Sequence, residues 1–285
     1  MLLTLLGFIV GNGLVGLGAF FLCRSFTCQR FAIAELLSVA CVMSVAMIVG
    51  QTEIVAGLVW GTVAVNLTMV GGICLWRGMG LSRENWLLLV WLGLGLVTLL
   101  VAGYGSGLGV FGGCGLIFVG VMALLMAGDM GKQQTKERQR LDWLWWLKLG
   151  IWLLVTICGA LVLLGRQSVM TVVGLPSAWT VMFILTPMLA LFVLLAQWKQ
   201  QTNHRDILQG LLWVNVVLVT FGCGFLAVGG CLCFSQIVEV VILPSSLLMT
   251  LLLGVMMFMP KKTTRWWGGL IVLMYIGVLL GLLIK

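Results

Sequence analysis

Charge is scarce in this sequence: eight acidic residues, sixteen basic ones and one histidine among 285 positions, so that 8% of the chain is charged while 62% is hydrophobic. A soluble domain carries about 25% charged residues to cover its exterior. The shortage excludes a water-facing globule, and the exterior must be lipid. Acids and histidine are also too few to assemble a Ser/His/Asp set, an acid pair or a metal cluster within the apolar runs, which argues against an enzyme and against any bound cofactor. The sole histidine, His204, lies in the polar stretch QTNHRD and reads as a solvated loop residue. Prolines number four while glycines number 38, a balance that suits helices packed closely through small residues. Eight of the nine cysteines, among them Cys41, Cys74 and Cys223, lie in or beside apolar runs and read as small hydrophobes rather than as a disulfide scaffold. Sixteen methionines and the CLC run at 231–233 raise a soft-metal reading such as Cu(I), but their scatter is that of apolar filler.

What is present in abundance is long apolar runs. Ten of them approach the roughly 20 residues that cross a bilayer, at about 2–22, 31–50, 54–76, 86–103, 108–127, 144–164, 170–196, 207–233, 238–259 and 267–284. They read as helices, because each span must satisfy its own backbone hydrogen bonds in hydrocarbon. The first lacks a basic leading segment and a small-residue cleavage motif, and reads as a retained helix. Basic residues test the count, since they gather on the cytoplasmic side of a membrane protein. Arg24, Arg30, Arg77, Arg83, the central group from Lys132 to Lys148, Lys199, Arg205, Lys261, Lys262 and Arg265 fall on one side of the alternating path. Only Arg166 and Lys285 fall on the other. The formal charge of +8 is thus a topology signal and no sign of nucleic-acid binding. The expectation is an all-α polytopic membrane protein of the inner or plasma membrane with both termini extracytoplasmic. Its ten transmembrane helices form two inverted five-helix repeats, 1–127 and 143–285, joined by a cytoplasmic linker at 128–142. Its surroundings are membrane lipid, and its cargo a small cation or solute.

Polar residues inside the spans mark where such a cargo would pass. Asn66 and Asn215 sit mid-span in GTVAVN and GLLWVN, segments with the same step from Gly to Asn. An unpaired amide there costs a few kcal/mol, so each must have a partner, either along a polar pathway or as interhelical glue. Ser44, Thr62 and Thr68 add hydroxyls to the same pathway. Glu35 is the one acid inside a span, and its nearness to Arg30 suggests a carboxylate snorkelling at the cytoplasmic end, with a proton or cation relay as the other reading. Pro187, after Thr186, frees a backbone carbonyl, which membranes admit only where protein or water meets it. Tryptophans at 143, 145, 146, 266 and 267 beside basic residues fit an interfacial belt.

Ten spans in five plus five, the stretch from Phe21 to Trp76 containing FLCRSF and GTVAVNLTMVGGICLW, FILTPM at 183–188, and GLLWVNVVLVTFGCG together resemble the calcium/cation antiporter superfamily, the sodium/calcium exchanger-like proteins. The resemblance implies an inverted-repeat fold with a site at the midplane where the halves meet, FILTPM being similar to the family's helix-break motif. It also implies a glutamate at each helix break, and the corresponding positions read as Met47 and Met188. Thioether sulfur is a weak ligand for calcium or sodium. The expectation is therefore a transporter-like protein whose acidic cation site is lost, or else a scaffold that keeps the fold.

Overall fold

The computed structural model describes residues 2–25, 31–77, 86–103, 108–131, 143–164, 204–230 and 242–283, and among these every regular element is helical. The elements are α1 (Leu2–Ser25), α2 (Phe31–Ile48), α3 (Thr52–Val65), α4 (Gly71–Trp76), α5 (Trp86–Gly103), α6 (Val110–Gly131) and α7 (Trp143–Leu164), followed by α8 (His204–Val217), α9 (Cys223–Val228), α10 (Leu243–Met256) and α11 (Lys261–Leu283). The helices cover nine of the ten expected apolar runs, and the run at 170–196 lies outside the described residues. Helix α6 continues to Gly131, into the stretch expected to be linker, and His204 opens α8 instead of sitting in a loop.

Two helical rods form the centre. Ile54–Trp76 and Leu208–Val228 are each long and apolar enough to cross a bilayer, and most of each is buried. Both are interrupted by a π-helical turn, Asn66–Val70 between α3 and α4 and Leu218–Gly222 between α8 and α9. In the first, the Gly71 amide donates to the Asn66 carbonyl, the five-residue step that defines such a turn. Thr68 and Thr220 occupy equivalent places in the two turns, each donating its hydroxyl to the carbonyl four residues back, Ala64 at 2.6 Å and Val216 at 2.7 Å.

Glycines fix how the outer helices approach the rods. Gly72 of α4 meets Gly268 of α11 so closely that a methyl on either would lie within 3.0 Å of the other's carbonyl oxygen. Gly224 of α9 and Gly113 of α6 make the same reciprocal contact, at 3.0 and 2.8 Å. Gly224 and Thr220 thus repeat Gly72 and Thr68 at a step three residues longer than the one from Asn66 to Asn215. On another flank α1 crosses α7 through Gly18 against Thr156 and Gly159 against Val15, with the Phe21 and Trp152 rings stacked 3.9 Å apart. Small residues at crossings are what helix association in lipid requires, since no hydrophobic force drives it there. Large apolar side chains such as Ile48, Phe111, Leu125, Leu154 and Leu273 point outward, as they must where the solvent is hydrocarbon.

Candidate functional site

At the centre of the fold α2, the π turn after α3, and α8 meet through three polar side chains. Asn66, the first residue of the π turn, donates from Nδ2 to Glu35 Oε1 of α2 at 2.8 Å and to Asn215 Oδ1 of α8 at 3.3 Å. Glu35 is 2% exposed and both asparagines are fully buried. One amide group therefore ties three helices together. Among the described residues the remaining capacity is unfilled: Glu35 Oε2, Asn66 Oδ1 and Asn215 Nδ2 are buried with no hydrogen-bond partner. Two of these three atoms are oxygens, one of them a carboxylate oxygen, in a core made largely of apolar side chains. Buried polar atoms left unpaired cost about 1–3 kcal/mol each, and more for a charged group. A cluster with this much vacant capacity is a poor piece of packing and a reasonable cage for something with a positive charge.

Of the sequence-derived candidates, the structure brings Asn66, Asn215 and Glu35 together. Glu35 does not snorkel at a helix end: it is buried in the core and its partner is Asn66. Met47, assigned to the family's glutamate position, lies three turns along α2 from Glu35 and is 47% exposed, so it does not approach Asn66. Thr186, Pro187 and Met188 lie outside the described residues. Thr62 and Thr68 donate their hydroxyls to their own helix, at Leu58 and Ala64, and Ser44 donates to Ala40 at 2.7 Å, so each leaves only lone pairs for anything else. The π turns were missed in the sequence, where NLTMV and LVTFG carry no residue that distinguishes them from α-helix.

A cavity of about 370 Å³ lies between α2 and the second rod. Its wall on α2 is a single stripe, Leu36, Ala40, Met43, Ser44 and Met47, and its opposite wall comes from the second rod, from Val217 and Phe221 to Gly229. Ser44 and Met47, remote from Asn66, line this cavity, whereas Glu35, Asn66 and Asn215 do not. Among the described residues no three His, Cys, Asp or Glu side chains group as a metal site.

This arrangement can be set beside known structures. A structure of the sodium-calcium exchanger NCX_Mj soaked with Na+ and Sr2+ superposes with a TM-score of 0.64 over 98% of each chain, at 21% identity. The chain shares the fold of that exchanger. A second NCX_Mj structure, soaked with Na+ without Ca2+, gives 0.61 over 98% of each chain at 20% identity. The H+/Ca2+ exchanger CAX gives 0.62 over 98% of this chain and 88% of that one, at 10% identity. No protein-family model matches the sequence, and no curated protein sequence matches it.

Proposed function

We propose that this chain is a secondary transporter of a small cation, with Glu35, Asn66 and Asn215 as the site its cargo occupies. The observation that carries the reading is the pair of buried, unpartnered oxygens, Glu35 Oε2 and Asn66 Oδ1, at the junction of three helices. Carboxylate and amide oxygens are hard donors and suit Na+, a proton or a Group 2 ion, not a soft metal. Charge counting narrows the choice. Glu35 is the one acid well inside an apolar run, and the run at 170–196 contains none. A single buried negative charge is balanced by one positive charge, which favours a monovalent cation or a proton over bare Ca2+.

The chain is read as ten spans in two five-helix halves of opposite orientation, with the termini outside. The distribution of basic residues supports that, as do the two π turns, one in each proposed half, and the two glycine contacts, each of which joins one half to the other. The structural neighbours are cation exchangers, and exchange of cations is the activity this geometry favours here. The decisive measurement is a flux panel of Na+, K+, H+ and Ca2+ on purified protein in liposomes, comparing wild type with Glu35→Gln. A monovalent flux that falls at least 100-fold in the variant, while the protein elutes and melts like wild type, is the expected result. If Glu35→Gln transports normally, the cluster is interhelical glue and the cargo site lies elsewhere; if no ion on the panel moves with wild type, the chain is a scaffold.

A further inference from the structure

An apolar groove lies away from the central cluster, between the end of α4 and one face of α11. It encloses about 810 Å³ and is lined by Trp76 on one side and by Arg265, Trp266, Gly269, Val272, Leu273 and Ile276 on the other. We infer that this groove binds an anionic glycerophospholipid, its phosphate held by Arg265 and one acyl chain lying along α11.

Three features select that occupant. The first is length: from Arg265 to Ile276 the helix rises about 16 Å, close to half of a hydrocarbon core about 30 Å thick. The groove is thus one leaflet deep, the span of one acyl chain. The second is the distribution of charge. Among the described residues Arg265 is the only charged one lining it, at one end, and the rest of that lining is apolar; Lys262, one turn earlier on the same helix, is also exposed. A cation at one end of a leaflet-deep apolar slot matches an amphiphile with an anionic head, and the planar guanidinium can grip a phosphate through two N–H groups. The third is the setting of the tryptophans. Trp76 and Trp266 are 61% and 84% exposed beside Arg265, at the level where indole rings sit among headgroups.

Gly269 gives the groove its depth. A side chain there would find only the Trp76 ring, at 3.8 Å, in ordinary contact, so nothing in the backbone demands glycine. Its neighbour Gly268 is the one pressed against α4. The two adjacent glycines therefore serve different ends: one allows the helices to touch and the other leaves room beside them.

The test is native mass spectrometry of the full-length protein titrated with phosphatidylglycerol or with phosphatidylcholine of the same chains. Wild type should retain one phosphatidylglycerol preferentially. Gly269→Leu, which fills the slot, should abolish the retained lipid, and the exposed pair Lys262→Gln with Arg265→Gln should weaken it by about tenfold or more. The charge pair keeps the test open should Gly269→Leu fail to fold. The inference is overturned if both lipids are retained equally, if the charge pair binds phosphatidylglycerol as wild type does, or if the species that Gly269→Leu removes is a dimer, which would make the groove an interface between copies.

Discussion

Adding one methyl group at Gly268 should do more harm than its size suggests, because of what it would strike. An alanine Cβ there would collide with the Trp76 backbone nitrogen and lie 2.6 Å from the Gly72 carbonyl oxygen and 2.8 Å from Leu75 Cβ. Carbon contacts settle at about 3.5–4.0 Å, so α11 must withdraw from α4 by about 1 Å. Neither obstacle is the tip of a flexible side chain that could swing aside. Overpacking of this kind costs about 3 kcal/mol at the upper end of its usual range. Alanine recovers about 1 kcal/mol in helix propensity, leaving a net loss of about 2 kcal/mol. Gly93 in α5 is the matched control, since a Cβ there meets nothing within 4 Å and only the propensity gain remains. Reversible SDS unfolding of the two variants should thus shift in opposite directions, separated by about 3 kcal/mol. Shifts of the same sign, or a Gly268→Ala protein as stable as wild type, would refute the claim that this crossing is closed by backbone against backbone.

Other outcomes follow from burial and bonding. Asn66→Leu removes the only donor that Glu35 and Asn215 share, and should destabilise the protein by about 3 kcal/mol in the same unfolding assay; Ser44→Ala, whose hydroxyl serves only its own helix, should change stability by less than about 0.5 kcal/mol. Cys74 and Cys223 are fully buried, so a membrane-permeant maleimide should leave them unmodified in the native protein and label them after denaturation; peptide mass mapping reads this directly. Tags at both ends should be cut by protease added outside intact cells, and protection of either one contradicts the proposed orientation.

The helices were easy to read because the run of apolar residues and the clustering of Lys and Arg are both set by the bilayer, which acts on sequence locally. Asn66 and Asn215 stood out for the same reason, as amides in hydrocarbon. Glu35 was misjudged because its depth was inferred from its distance along the chain to Arg30, whereas depth depends on how α2 sits against its neighbours. Met47 was given a role by alignment to a motif, and it proves to be about 18 Å of helix away from Glu35. The glycine crossings were illegible: Gly72, Gly113, Gly224 and Gly268 look no different in sequence from Gly93 or Gly115, which touch nothing. Only the path of a second helix tells them apart.

An extra residue wound into one turn shifts everything beyond it around the axis by about 100° relative to a regular helix. The turn from Asn66 to Val70 therefore sets the angle between the amide that reaches Glu35 and the bare backbone of Gly72 that seats α11. Excising a single residue from it would leave a longer, straighter and better hydrogen-bonded rod whose two ends no longer faced their proper neighbours. The same holds for the second rod, where the offending residue would turn Gly224 away from α6. In this molecule the irregularity in each rod is what lets one helix keep two appointments at once.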